Sequence, residues 1–192
     1  MLMRFGQWIA ATRPHFLSIT VVAVGLGLVS ARADGTPLSW VSASLTLLGA
    51  LAMHAGANLI NDYHDRDADA CNIDALRPYA GGSRMIQEGV FRSTTIAAYG
   101  YSLVSVAMAI GVALMLAGHP DLLLVGATGT VLAVVYSAPP LRLSARGWGE
   151  VVVVAAWLLV VVGADLVQRG EWSFRPRACH GLKALGPDQS VT

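Results

Sequence analysis

Between positions 58 and 69 the chain reads Asn58-Leu59-Ile60-Asn61-Asp62-Tyr63-His64-Asp65-Arg66-Asp67-Ala68-Asp69, with four aspartates in eight residues at the end of an apolar stretch. On one continuous helix turning about 100° per residue, Asn61, Asp65 and Asp69 would drift by only about 40° per step and align their oxygens on one face. Carboxylates and a carboxamide are hard ligands suited to Mg²⁺, which takes a few protein oxygens and leaves its other positions to water and substrate phosphate. The alternative is a solvated acidic helix end. Ionisable residues that begin inside an apolar helix favour the metal reading.

Two further segments carry side chains of the right type. In Arg77-Pro78-Tyr79-Ala80-Gly81-Gly82-Ser83-Arg84 the glycine pair lets backbone approach a ligand, and two arginines can bind phosphate oxygens. The segment Tyr136-Ser137-Ala138-Pro139-Pro140-Leu141-Arg142 leads through Arg146 and Gly147 to Glu150. Its simplest reading is structural: the prolines end one helix, Gly147 and Gly149 permit a turn into the next, and Tyr136 and Arg142 are interfacial anchors. His64 reads as a solvent-facing group, and His15 and His54 as satisfied polar groups at or within helices. Cys71 and Cys179 form neither a metal-ligand spacing nor a disulfide framework.

The elements that must position these residues are membrane spans. The 192 residues are 55% hydrophobic and only 13% charged, half the charge density of an ordinary soluble domain, with a mean hydropathy of +0.57. Disorder, collagen and nucleic-acid binding are excluded by that composition. Five stretches approach the roughly 20 apolar residues that cross a bilayer: 14–31, 38–60, 94–117, 121–139 and 148–168. The expected fold is therefore all-α, a polytopic membrane helix bundle of about five transmembrane helices, with small residues inside the spans permitting close packing. A cleaved signal peptide is the rival reading of the first stretch; the residues before it and the four later spans favour a retained helix.

Orientation follows from arginine. On alternate sides of the spans, one set of segments holds Arg4, Arg13, Arg66, Arg77, Arg84, Arg92, Arg142 and Arg146, and the two opposite loops hold only Arg32. The bias puts the N-terminus and the acidic loop in the cytoplasm. Trp8, Trp40, Trp148 and Trp172 lie near span ends as interfacial anchors, and Trp157 reads as packing or lipid contact. After position 172 the composition shifts and Lys183 is the only lysine in the chain. Residues 173–192 are expected to be a disordered tail outside the membrane domain of 1–172, from a natural terminus or from another reading frame.

Both polar segments together resemble the UbiA superfamily of intramembrane aromatic prenyltransferases. Asn61-Asp62-x-x-Asp65-x-x-x-Asp69 is similar to its first Asp-rich motif, and the loop from Tyr136 to Arg146 to its second conserved cytoplasmic segment. Asn-Asp-Tyr, Gly81-Gly82-Ser83-Arg84-Met85-Ile86-Gln87-Glu88-Gly89 and Tyr-Ser-Ala-Pro-Pro-Leu-Arg look most like the 1,4-dihydroxy-2-naphthoate polyprenyltransferase branch of menaquinone biosynthesis. Haem O synthases, chlorophyll synthases and 4-hydroxybenzoate prenyltransferases share the frame.

The resemblance implies an integral protein of a bacterial inner membrane. It would transfer a polyprenyl group from polyprenyl diphosphate to an aromatic acceptor, either 1,4-dihydroxy-2-naphthoate or another acceptor such as 4-hydroxybenzoate. Asn61, Asp62, Asp65 and Asp69 would hold Mg²⁺; Arg77, Arg84 and Arg142 would bind the diphosphate; Asp65, Asp69 and Tyr136 would act in catalysis, with Tyr136 stabilising an allylic cation or contacting diphosphate.

Family members are similar to nine-helix bundles with two Asp-rich motifs, whereas this sequence has five spans and one motif. The isolated chain is therefore expected to show little transferase activity. A non-catalytic half-bundle that binds polyprenyl diphosphate, or a partner chain supplying the missing helices, is the alternative. A transporter or channel fragment using the aspartates as ion ligands is a further reading, in which the glycine-pair and Pro-Pro-Leu-Arg loops have no evident use.

Overall fold

A computed structural model describes residues 2–72 and 82–172. Among them are seven α-helices: α1 (Leu2–Ala11), α2 (Pro14–Ala33), α3 (Trp40–His64), α4 (Arg66–Cys71), α5 (Ser93–Leu116), α6 (Leu122–Val135) and α7 (Gly149–Arg169), with a 3₁₀ turn over Leu143–Arg146. The described residues form no strand. Four helices, α2, α3, α5 and α7, are long and apolar enough to cross a membrane. The fourth expected span is shorter: α6 has 14 residues, about 21 Å at 1.5 Å per residue, less than the roughly 30 Å of a bilayer core. It stops because Tyr136 to Pro140 turn away from the helix axis into the polar loop.

The helices pair closely where glycine removes a side chain. α3 packs along α5, and a Cβ on Gly56 would meet Val104 Cγ2 at 2.8 Å and the Gly100 carbonyl oxygen at 2.9 Å. α2 packs along α7, where a Cβ on Gly27 would lie 2.6 Å from Ala164 Cβ. Without a hydrophobic drive between helices in lipid, such backbone approach is a principal source of association. The opposite faces stay apolar and exposed, as at Val22, Val29, Leu116, Leu124 and Leu158, which suits contact with lipid tails rather than water.

Chain reversals fall at two ends. At one, Ser39 caps α3 by accepting from Ser42 N–H at 3.3 Å, and Gln168 of α7 accepts from the Ser39 N–H at 2.8 Å. The other end gathers α1, the start of α2, the end of α3, α4, the segment 82–92 and the loop after α6. There Ala11, Leu59 and Ile96 form a buried cluster against which Met85, Ile86, Phe91, Tyr99 and Leu103 pack. This cluster fixes the segment 82–92 over the end of α3. Trp8 packs beside it, with its ring 4.4 Å from Phe91 and 5.0 Å from Tyr99. Trp40, Trp148 and Trp172 are exposed near span ends.

Candidate functional site

The acidic turn is not one helical face. α3 ends at His64, Asp65 has φ −97° and ψ 5°, and α4 begins at Arg66. The backbone bonds from Asp65 N–H to the Asn61 carbonyl (2.9 Å) and from Asp69 N–H to the Asp65 carbonyl (2.8 Å) persist across the junction. Asn61 and Asp65 remain in contact across the junction, and Asp65 lies near enough for its charge to act on Asp69, but their side chains have different tertiary partners.

Asn61 and Asp65 turn toward the loop after α6. The Asn61 amide donates to Asp65 Oδ2 at 2.6 Å and to Ser137 Oγ at 2.8 Å. Arg142 donates to Asp65 Oδ1 at 3.1 Å. With the Arg142 side chain 41% exposed, that ion pair contributes at most about 1 kcal/mol and can be exchanged for a ligand. Ser137, inside the Tyr-Ser-Ala-Pro-Pro-Leu-Arg motif but without a role of its own there, is buried at 1% exposure; its proximity to Asn61 spans 76 positions.

Asp62 and Asp69 turn instead toward Gly82. Asp62, only 4% exposed, accepts from the Ser83 N–H on both oxygens, at 3.2 and 3.1 Å. Gly82 has φ +69°, and a Cβ there would lie 2.6 Å from Asp69 Oδ2 and 2.9 Å from Asp62 Oδ1. The two carboxylates thus close on one small space that only a glycine leaves open. Burial, then the charge of Asp65, holds the Asp69 carboxyl above its ordinary range, against the opposing charges of Arg13 and Arg84. Ionised Asp69 is accordingly held at a cost that a cation would relieve. The donor set of hard oxygens fits Mg²⁺, which is usually held by one or two carboxylates with phosphate completing the shell. Among the described residues no three His, Cys, Asp or Glu side chains gather as a metal-binding group.

Three arginines surround this turn. Arg13, Arg84 and Arg142 are the positive-φ non-glycine residues among those described, at 58°, 64° and 43°. Each has a buried Nε without a hydrogen-bond partner. Left-handed backbone costs an ordinary residue about 1–2 kcal/mol, and an unpaired buried donor adds to that. Both features concentrate where an anion would bind. Arg84 donates to the Asp69 carbonyl at 2.7 Å, and Arg13 lies over the Phe16 ring at 4.6 Å. Arg13 was expected only as a topology signal; its neighbourhood to the acids depends on how α2 meets α3. Arg77 lies outside the described residues. His64 is partly exposed, with Nε2 3.3 Å from the hydroxyl of the exposed Tyr101.

Below the turn a cavity of about 570 Å³ runs into the bundle. All five apolar helices contribute to its wall, with Met53, Leu114, Leu132 and Leu159 among the lining residues and Arg13, Asn61 and Tyr136 at the acidic end. The volume lies in the range of small-molecule sites. Tyr136 packs against the start of α7, where a Cβ on Gly149 would meet its hydroxyl at 3.7 Å.

The profile of the UbiA prenyltransferase family matches residues 9–182. The chain belongs to the UbiA prenyltransferase family. It is 32% identical over 173 residues to 1,4-dihydroxy-2-naphthoate octaprenyltransferase of Mycobacterium leprae, covering 88% of this chain and 56% of that protein. It is 24% identical to UbiA prenyltransferase domain-containing protein 1 of Dictyostelium discoideum, over 84% of this chain and 49% of that one. A 92-residue stretch is 35% identical to chloroplastic chlorophyll synthase of Oryza sativa, covering 46% of this chain and 22% of that protein. The chain thus spans about half the length of the first two relatives. No solved structure matches it. With four spans and UbiA membership, it is an integral membrane protein.

Proposed function

We propose that this UbiA-family chain carries the diphosphate-binding half of a polyprenyl transfer site, with an aromatic acceptor that its relatives suggest is 1,4-dihydroxy-2-naphthoate of menaquinone biosynthesis. The observation that carries the reading is an apolar cavity of about 570 Å³ whose lining includes Arg13, Asn61 and Tyr136, with Asn61 bonded in turn to Asp65 at the acidic turn. A diphosphate with a long hydrocarbon tail needs both an ion-lined mouth and an apolar channel reachable from lipid.

Asp62 and Asp69 would hold Mg²⁺, joined by Asn61 and Asp65 as the turn rearranges around ligand. When bound, the ion withdraws charge from the leaving diphosphate. Arg84 and Arg142 bind phosphate oxygens, with Arg77 as a third donor, and Arg142 exchanges its weak pairing with Asp65 for the anion. Departure of diphosphate leaves an allylic cation; the apolar wall excludes water, and the Tyr136 ring or hydroxyl stabilises the separated charges. The aromatic carbon then forms the new bond and loses its proton. Residues 1–172 form the membrane domain on this reading, with 173–192 a separate tail, the N-terminus and acidic turn cytoplasmic, and the membrane a bacterial inner membrane.

A second reading is favoured by the two carboxylates, Asp62 and Asp69, that close on Gly82: a half-bundle that binds polyprenyl diphosphate and reacts only with partner helices. Reconstitution in lipid nanodiscs separates the two. Mg²⁺-dependent binding of farnesyl diphosphate with prenylated product, both lost in Asp65→Ala, supports the complete reaction. Binding without product supports the half-bundle, and absence of binding overturns both.

A further inference from the structure

α3 carries an ionisable side chain in the middle of its span. His54 lies seven residues before Asn61, about 10 Å deeper along the helix axis, and it lines the cavity. An imidazole in a membrane-spanning segment faces the bundle interior and marks a functional position unless its polar atoms are all used locally. They are not all used. Nδ1 lies 2.8 Å from Thr20 Oγ1, a hydroxyl fully buried in α2. The ring stands edge-on to Trp157 of α7, with centroids 5.0 Å apart. Nε2 has no hydrogen-bond partner among the described residues, and the side chain that carries it lines the cavity.

The surrounding wall offers little competition for a polar ligand at this depth. Asn58, one turn nearer the mouth, already donates its amide to the Thr12 carbonyl at 3.0 Å. Met53, Ala57, Trp157 and Val160 are apolar. We propose that His54 Nε2 hydrogen-bonds a ring hydroxyl of an aromatic ligand and so selects hydroxylated rings. On the prenyltransferase reading, on which this identity rests, the ligand is the prenyl acceptor, held with its body between His54 and the acidic turn.

The chemistry suits either tautomer. If Thr20 donates to Nδ1, Nε2–H is a donor; if Nδ1–H donates to Thr20, Nε2 accepts. A phenolic hydroxyl meets both cases, and the edge of Trp157 offers an aromatic contact to the ring. An unhydroxylated ring of the same size leaves Nε2 desolvated and unpaired, which is the basis on which a buried polar group rejects an apolar isostere. Thr20 is a positioning residue, acting through the imidazole.

The test is equilibrium binding of 1-naphthol and of its near-isostere 1-methylnaphthalene to the full chain in nanodiscs, corrected for partition into empty nanodiscs. We expect a preference of about tenfold for 1-naphthol, the equivalent of one good hydrogen bond. His54→Phe should reduce that preference to within about twofold while leaving 1-methylnaphthalene affinity unchanged. Thr20→Val, similar in volume, should lower the preference severalfold and decides the matter if the His54→Phe chain does not fold. Absence of preference in the native chain, or a preference unchanged in the folded variant, overturns the proposal. A His54-dependent preference in a chain that binds no farnesyl diphosphate sustains the hydroxyl site and removes the prenyltransferase reading; diphosphate binding without the preference does the reverse.

Discussion

The two ends of the bundle treat arginine in opposite ways. At the end where α2 and α7 meet the Asp34–Ser39 turn, Arg169 uses all its guanidinium nitrogens: Nε donates to Asp165 Oδ2 at 2.6 Å, Nη1 pairs with Asp34, and Nη2 donates to the Ser30 carbonyl at 3.1 Å. At the acidic end, Arg13, Arg84 and Arg142 each keep a buried Nε unpaired and each sit on left-handed backbone. A fold could satisfy arginine at both ends, since it does so at one. Strain of that kind persists only where surrounding structure imposes it, and on the proposed function the acidic end is where it would serve a ligand.

The sharpest way to break the comparison is to remove a carboxylate from each end. Asp69→Asn should weaken Mg²⁺-dependent farnesyl diphosphate binding about 100-fold, at the upper end of what loss of a group ordering a metal costs. Asp34→Asn should leave that binding unchanged. Equal losses at the two ends would mean that both act only through stability. The next effect belongs to Arg169. Arg169→Ala should destabilise the chain by roughly 2 kcal/mol, the scale of a lost charge-assisted hydrogen bond, with diphosphate affinity per folded molecule retained. Thermal unfolding in nanodiscs alongside binding reads both quantities.

Glycines sharpen the comparison further. Gly82 and Gly170 share nearly the same backbone, with φ +69° and +77°, but an added Cβ on Gly82 meets Asp69 and Asp62 whereas on Gly170 it meets nothing within 4 Å. Alanine at either position should cost about 1 kcal/mol of stability from the left-handed backbone. Only Gly82→Ala should also fill the space between the carboxylates, and it should lower Mg²⁺-dependent binding about tenfold, near 1.4 kcal/mol. Similar binding losses in both variants would remove Gly82 from the site.

Hydropathy made the long spans legible: 14–31, 38–60, 94–117 and 148–168 correspond to α2, α3, α5 and α7. It overstated α6, which ends at Val135, two residues before Ser137 meets Asn61. The acidic turn was legible as a concentration of aspartate. Its division was not, since helical periodicity knows nothing of Ser83 pulling Asp62 one way and Arg142 pulling Asp65 another. Arg13 and Ser137 escaped for the same reason: each is ordinary in its own segment and acquires meaning from a helix far along the chain. His54 was legible as a polar group within a helix, but its unpartnered Nε2 depends on where α2 and α7 pack.

The smallest expected effect separates strain from charge at a single residue. Arg142 has φ 43° and ψ 57°, and its pairing with Asp65 is partly exposed, with the Arg142 side chain 41% accessible. Arg142→Gly removes a side chain whose ion pair contributes at most about 1 kcal/mol and relieves a backbone cost of about 1–2 kcal/mol. Stability should therefore stay level or rise by up to about 1 kcal/mol. Diphosphate binding should nonetheless fall severalfold, because the guanidinium fork that would take phosphate oxygens is gone. Arg142→Lys keeps charge and strain while losing the fork, so it should bind better than the glycine variant without any gain in stability. If Arg142→Gly loses stability and binding together, the arginine is a structural clamp like Arg169, and the contrast between the two ends does not extend to this loop.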